Sequence, residues 1–326
     1  MSSCRVLRPT VLVLASRFDL SCDYVIAALR QNGCEYLRLN SEDLASFALC
    51  LDPCRGHLSC RTKEFRADVD CGQLTGVYFR RPTFLREASQ VGRTPEEQFE
   101  RAQWMAFVRN LMVLDVVKWV NHPTRTYESE HKMIQLKTAA ALGFEVAPTW
   151  CLNSDRFLAG RFNGDALAVK GLDTVLVRTE TSEAFGYTSL LGAEEVMEVD
   201  FSGAPMVVQQ AITNKIDLRV TVVTDEWWCA SVTDKGRGIE GDWRLMKRNA
   251  CFKEFELPDS VGRRCVALTR ELGLHFAAID LALSRDRYYF LEVNPTGEWA
   301  WLQEQIGFPI ADRLAGTLQH LTETVS

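Results

Sequence analysis

Apolar positions fall into two patterns along the chain. Val11-Leu-Val-Leu-Ala15 is an unbroken apolar run, the signature of a strand buried on both faces. Behind it Val25, Ala28 and Leu29 recur at helical spacing up to Gly33, a residue favoured just past a helix C-terminus. Glu35 to Leu39 returns to a strand pattern, and Gly76-Val-Tyr-Phe79 adds another strand that ends in Arg80-Arg81-Pro82. A β-α-β order of this kind predicts a parallel sheet with a right-handed crossover. Thr94-Pro95-Glu96-Glu97 opens a helix by three criteria: a Thr N-cap, Pro at the first helical position and Glu completing a capping box. This helix is expected to run to about Val117, with Phe99, Met105, Val108, Met112 and Val116 as apolar positions. Asn121-His122-Pro123 is the natural break after it, because proline disfavours helix in the residue before it.

Further on, a helix is expected from Glu128 to Leu142, closed by Gly143. Strand-like segments follow near Thr149 and over Leu167–Lys170, Val175–Val177, Met206–Gln209, Val220–Val223 and Trp227–Val232. From Pro258 to Leu272 a helix buries Val261, Cys265, Leu268 and Leu272, spaced i, i+4, i+7, i+11. Phe276–Leu283 and Tyr288–Asn294 read as a hairpin joined by Ser-Arg-Asp-Arg. No internal repeat or low-complexity tract interrupts this order. The expected class is α+β with an α/β first domain, divided as residues 1–118, 119–205 and 206–326.

Composition narrows the function. The 326 residues carry 37 Lys+Arg against 43 Asp+Glu, a formal charge of −6, with 47% hydrophobic and 25% charged positions. Those fractions exclude disorder over most of the chain. No general basic excess points to nucleic acid. No apolar run reaches the roughly 18 residues that cross a bilayer, and the N-terminus lacks an export pattern, so a cytoplasmic protein without a membrane partner is expected. Eleven cysteines, an odd number, suit reduced thiols in that setting. Cys50, Cys54, His57, Cys60 and Cys71 crowd one stretch, but the CxxC pairs of strong zinc signatures are absent, which favours packed or surface thiols.

Candidate chemistry concentrates in the hairpin. Side chains alternate along a strand, so Glu292 and Asn294 share one face while Leu291 and Val293 take the other. Asp280 stands opposite Glu292 on that face if Ser284 pairs with Tyr288 across a three-residue loop; a two-residue loop slips the register and turns Asp280 away. Three oxygen donors gathered there suit Mg²⁺. A solvated polar face is the alternative, and the apolar opposite face fits both readings. Lys132 lies early in a helix, and Lys170 ends an apolar strand as a point charge for a phosphate or as a solvated strand end. Asp217 and Arg219, two apart on one strand face, suit a ribose acceptor and a phosphate clamp, or a surface ion pair.

Lysine, lysine, hinge segment, D-x-R strand and D…E-x-N, in this order, resemble the ATP-grasp ligase superfamily over about residues 119 to 310. The first 118 residues resemble the α/β domain that usually precedes it. The resemblance implies an ATP-grasp fold using ATP and Mg²⁺. Lys132 and Lys170 would contact the phosphates, Gln210 and Ile212 would line the adenine site, and Asp217 would bind ribose. Arg219 would stabilise the acyl phosphate, and Asp280, Glu292 and Asn294 would hold Mg²⁺. The hinge carries Gln209-Gln210 where many relatives have Gln-Glu.

A narrower likeness rests on Phe79-Arg80-Arg81-Pro82, Asp242-Trp243-Arg244, the run Leu291-Glu-Val-Asn-Pro-Thr-Gly-Glu-Trp-Ala-Trp-Leu302 and Gly307-Phe-Pro-Ile310. These are similar to the microviridin-type graspetide synthetases. That implies a ligase joining side-chain carboxylates of a ribosomal precursor peptide to hydroxyls or amines, working as a homodimer. Arg80, Arg81 and Arg244 are then candidate contacts for acidic side chains of the core peptide, or ordinary surface charge. Trp299 and Trp301 belong to the motif or simply to the core. Ser182 to Thr188 is a candidate lid, and a leader segment would dock near residues 180–250. No Ser-His-Asp or Cys-His nucleophile is evident, and an acyl-phosphate route needs none. The alternatives are a ligase adding a free amino acid to a carboxylate, or a nucleotide-binding protein that does not ligate. The intact set of lysines, arginine and metal ligands argues against the latter.

Overall fold

The computed structural model describes residues 5–80, 94–114, 119–158, 166–173, 176–178, 183–241, 243 and 250–320. The chain divides into two compact units, one of Met1–Tyr127, Gly273–Phe276 and Pro295–Ser326, the other of Glu128–Leu272 and Ala277–Asn294. Among the described residues no helix is long and apolar enough to cross a membrane.

The first unit is built on strands β1 (Arg5–Leu7), β2 (Val11–Ala15), β3 (Tyr36–Asn40), β4 (Ala48–Asp52), β5 (His57–Arg61), β6 (Phe65–Asp70), β7 (Gly76–Phe79) and β8 (Trp119–Val120). The expected parallel sheet is present in the order β3-β2-β7-β8. The unbroken apolar run of β2 lies inside it, buried at every position. The crossover helix Leu20–Gln31 begins at Asp19, whose carboxylate accepts from the Cys22 amide at 3.0 Å.

A second sheet, ordered β1-β6-β5-β4, has no counterpart in the sequence reading. Its alternation was legible: in His57-Leu-Ser-Cys-Arg61, Leu58 and Cys60 point into the core while their neighbours face out. Cys60 packs with Leu58, Val69, Leu12, Leu37 and Trp119, whereas Cys54 is exposed and His57 meets Ser59. The would-be metal cluster is therefore split between core and surface. Among the described residues no group of three or more His, Cys, Asp or Glu side chains is placed to hold an ion.

The Pro95–Asn110 helix carries the full capping box at Thr94 and Glu97 but stops short of the expected end. One tighter turn, Leu111–Val113, takes over. Residues three apart eclipse in such a turn, and Leu111 and Leu114 both enter the core, where the Leu114 carbonyl accepts from the Trp119 indole at 3.1 Å. Phe99, expected as an apolar contact, is exposed, and Val116 lies outside the described residues.

Arg80 departs furthest from expectation. It extends β7, donating its backbone N–H to the Leu14 carbonyl at 2.9 Å, and it is 1% exposed. Its guanidinium faces Asp19 at 3.1 Å and Glu298 at 3.2 Å, and donates to the Thr296 carbonyl at 2.7 Å. Paired arginines after a strand read as surface charge, but here the strand is buried on both faces and its continuation is buried with it. Arg80 has no free surface to offer a peptide carboxylate. Arg81 lies outside the described residues. Trp299 is fully buried beside Tyr24, and the helices Ala300–Ile306 and Ile310–Gln319 group with this unit, which chain order alone does not indicate. Gly76 permits that packing, since a Cβ there would stand 2.7 Å from the Leu318 carbonyl oxygen.

The second unit contains β9 (Thr149–Leu152), β10 (Leu167–Gly171), β11 (Leu176–Arg178), β12 (Glu183–Phe185), β13 (Ser189–Leu191) and β14 (Met206–Gln210). β15 (Ile216–Val223), β16 (Glu226–Asp234), β17 (Ala250–Glu254), β18 (Phe276–Ser284) and β19 (Arg287–Asn294) follow. They form an antiparallel sheet β13-β10-β14-β9, a β11-β12 ribbon and a five-stranded sheet β17-β16-β15-β18-β19. The helix expected over Glu128–Leu142 is instead two, Pro123–Ser129 and Lys132–Ala141. At the break, the Gln135 side chain takes the Ser129 carbonyl at 2.7 Å. The Asp259–Glu271 helix covers β15 and β16 as its apolar spacing predicts.

Two outcomes test this packing. Gly262 sits inside that helix, where alanine ordinarily gains about 1 kcal/mol. A Cβ there would meet the Trp227 ring at 2.2 Å, so Gly262→Ala should instead lose about 1–3 kcal/mol, read as a lower Tm. Burial pushes the Cys22 thiol up to about 12 and the Cys60 thiol up to about 11, and raises those of Cys229 and Cys265. Less thiolate and less access both slow alkylation. Iodoacetamide at mildly alkaline pH should label Cys50, Cys54, Cys151 and Cys251 in the native protein, and these four buried thiols only after unfolding, as peptide mass spectrometry will show.

Candidate functional site

A pocket lies wholly within the second unit, walled by both of its larger sheets. β10 contributes Ala168 and Lys170, and the end of β14 with its hinge contributes Gln209, Gln210, Ala211 and Ile212. β15 and the residue before it contribute Lys215, Asp217 and Leu218, and the β18–β19 hairpin contributes Asp280, Leu291 and Glu292. Six of the residues singled out from sequence are thus brought together: Lys170, Gln210, Ile212, Asp217, Asp280 and Glu292. Arg219 and Asn294 adjoin the pocket by hydrogen bonds to Asp280. Half-buried Lys132, the first residue of its helix, is not among the lining residues. Arg244 and Asp242 lie outside the described residues, as does Ser182 of the candidate lid, while Thr188 and Trp243 reach the pocket wall.

The hairpin register is reached by an unexpected route. The turn has two residues, Arg285 and Asp286, both at positive φ (51° and 60°), the conformation of tight hairpin connections. Ser284 pairs with Arg287, and regular pairing from there would turn Asp280 away from Glu292. A bulge restores it: Leu281 pairs with Phe290, and Asp280 with Glu292, so Leu291 is the extra residue. This corrects the expected alternation, because Leu291 does not share the buried face with Val293 but lines the pocket.

Charge is neutralised pairwise in the buried wall. Arg219 donates to one Asp280 oxygen at 2.8 Å, and both residues are buried. The Asn294 amide donates to the other Asp280 oxygen at 3.1 Å and to Glu292 at 3.2 Å. Two carboxylates and an amide offer the hard oxygen donors that suit Mg²⁺. The amide is isosteric on reversal, so Asn294 can present its oxygen to a cation in place of its nitrogen. The donor set therefore fits such an ion.

On the opposite wall the Lys170 ammonium donates to Gln209 Oε1 at 3.1 Å, and Gln209 in turn donates to Thr149 at 2.7 Å. Of the two hinge glutamines, then, the buried Gln209 orients the lysine. Gln210 is fixed through its backbone N–H to the Pro148 carbonyl at 2.9 Å. Sequence reasoning missed Lys215. It is 8% exposed, lines the pocket and donates to Asp217 Oδ1 at 2.6 Å. The signal was present, since Lys215-x-Asp217-x-Arg219 puts three charges on one strand face at period two.

Comparison with known proteins places the fold. Residues 174–318 match the family described as RimK-like ATP-grasp domain. The macrocyclase MdnC from Microcystis aeruginosa MRC, solved bound with the precursor peptide MdnA, superposes with a TM-score of 0.81 at 21% identity over 96% of this chain and 100% of that one. A Chryseobacterium gregarium RiPP-associated ATP-grasp ligase, in complex with ADP and a leader and core peptide, gives 0.81 at 21% over 97% and 98%. A RimK domain ATP-grasp protein from Sphaerobacter thermophilus gives 0.52 at 18% over 95% and 99%. A search of the curated proteins found no match. The fold of this chain is the ATP-grasp fold.

Proposed function

We propose that this protein is an ATP- and Mg²⁺-dependent ligase that activates side-chain carboxylates of a ribosomally made precursor peptide and closes them onto Thr or Ser hydroxyls, or Lys amines, as macrocycles. The observation that carries this reading is the hydrogen-bonded Arg219–Asp280–Asn294–Glu292 array, its Arg219 and Asp280 buried, at one wall of the pocket that Lys170 enters from the other. The likeness over nearly the full length of ligases solved with precursor peptides and ADP supports the peptide and nucleotide parts.

A carboxylate does not condense with an alcohol in water, because its leaving group is poor. Transfer of the ATP γ-phosphoryl group makes an acyl phosphate as the bond to ADP breaks. The hydroxyl oxygen then attacks the acyl carbon, the carbon–oxygen bond to phosphate breaks, and the hydroxyl proton is lost. When bound, Mg²⁺ neutralises charge on the phosphate oxygens. Asp280, Glu292 and Asn294 hold that ion, while Lys170 and Lys132 bind phosphate oxygens. Gln210 and Ile212 face the adenine, and Asp217, held by Lys215, accepts from ribose. Arg219, oriented by Asp280, meets the charge that develops on the transferred phosphoryl group. Arg81 and Arg244 remain candidate contacts for acidic peptide side chains. A homodimer and leader docking within residues 180–250 belong to the same proposal, as does action in the cytoplasm.

A second reading is ligation of a free amino acid to a carboxylate, since the RimK-like match over residues 174–318 leaves the acceptor open. Intact mass separates the two. Incubating the protein with ATP, Mg²⁺ and a short acidic peptide containing Thr, Ser and Lys should remove one water per ring, with products cleaved by mild base where the bond is an ester. Glu292→Ala should leave the peptide mass unchanged. ADP release that depends only on free amino acids, with no peptide product, would decide for the second reading. Arg219→Ala should lower turnover by about 10²–10³, the scale of losing one electrostatic stabiliser. Because Asp280 then loses its counter-charge, Tm is measured alongside, and normal turnover would remove Arg219 from the mechanism.

A further inference from the structure

β19, which carries Glu292 and Asn294, is an edge strand, so half of its backbone groups face away from β18 and need other partners. Two residues from the segment that precedes β9 supply them. The Glu145 carbonyl accepts from the Phe290 amide at 2.8 Å. The Gln135 side chain answers Val293 completely, its Oε1 accepting from the Val293 N–H at 2.9 Å and its Nε2 donating to the Val293 carbonyl at 2.8 Å. The second Nε2 hydrogen goes to the Ser129 carbonyl at 2.7 Å, and the residue is 3% exposed. One buried amide thus spends all its donors on two backbone carbonyls.

Its position matters more than its count of bonds. Val293 lies between Glu292 and Asn294, and the bulge at Leu291 lies just before them. A bulge is where pairing is locally broken, and a one-residue slip beyond it would reverse which side chains face the pocket. Ser129 ends the helix before the turn that leads to Lys132, and Gln135 is three residues beyond that lysine on the next helix. We infer that Gln135 is a positioning residue for the ligase site, fixing the strand that presents Glu292 and Asn294 against the turn that presents Lys132. This rests on the reading of Asp280, Glu292 and Asn294 as a divalent-cation site.

The test uses Mn²⁺ as a paramagnetic probe, titrated into the full chain with ADP and followed by electron paramagnetic resonance. Gln135→Met keeps the length of the side chain and removes its hydrogen bonds. It should weaken Mn²⁺ binding by about ten-fold or more, the scale for groups that orient ligands, and speed hydrogen exchange at the Val293 amide. A merely structural role would lower Tm and leave the Mn²⁺ affinity of the folded protein unchanged, which would overturn the inference. Gln135→Glu keeps the acceptor for the Val293 N–H but loses the donors, and gives the same reading should the methionine variant fail to fold. Glu292→Gln runs in parallel. If it abolishes Mn²⁺ binding while Gln135→Met does not alter it, the positioning role fails and the cation site stands. If Glu292→Gln binds Mn²⁺ as the unaltered protein does, the site reading fails and takes the positioning role with it.

Discussion

A guanidinium removed from water has to be met by carboxylates and carbonyls, because an unpaired buried charge costs about 3–5 kcal/mol, a large share of a domain's whole stability. Among the described residues each compact unit contains one such group. In the first, Arg80 gathers Asp19, Glu298 and the Thr296 carbonyl. Asp19 also caps the crossover helix, so the same carboxylate fixes a helix start and a buried cation. In the second, Arg219 fixes Asp280, and Asp280 with Glu292 fixes the Asn294 amide. The demand for neutrality therefore arranges the oxygen donors of the pocket within the protein alone.

The hairpin shows how two local rules reach the right face only together. Arg285 and Asp286 adopt the left-handed conformation that a two-residue connection demands, although only glycine and, less readily, Asn or Asp enter it at low cost. Taken alone that turn sends Asp280 to the wrong side. The bulge at Leu291 reverses the error and spends one apolar residue on the pocket wall. A strand interrupted in this way is held less firmly by its neighbour, which is why the contacts from Gln135 and Glu145 on its outer edge have structural weight.

Much of this was legible in the chain because burial leaves periodic traces. The continuous run Val11–Ala15 announced a doubly covered strand, and Thr94-Pro95-Glu96-Glu97 announced a helix start. What escaped has common causes. Cys60 and His57 are ligand types as well as strand residues, and that second reading masks the alternation that makes β5 a strand. The charge of Arg80 suggests surface, whereas its place just beyond β7 is set by a hydrogen bond to Leu14, far away in sequence. Lys215 lay outside the motif around Asp217, yet sits at the same period on the same strand face. The bulge leaves no trace in a pattern of apolar and polar residues, since Leu291 is apolar in either register.

Formal charge closes the argument about what the pocket can take. Asp280 is paired with Arg219 and Asp217 with Lys215, while Glu292 and Lys170, each hydrogen-bonded to a side-chain amide, carry opposite formal charges. Among these described residues the formal charges cancel, so a polyphosphate meets no formal positive excess from them, and a bare dication gains little from carboxylates already engaged by a guanidinium and an amide. On the proposed reading the two enter as a pair. Asp280, Glu292 and the Asn294 oxygen would hold the dication, whose positive excess the polyphosphate would offset. Metal affinity and nucleotide affinity are then one linked quantity, set by how firmly β19 holds Glu292 and Asn294 in place.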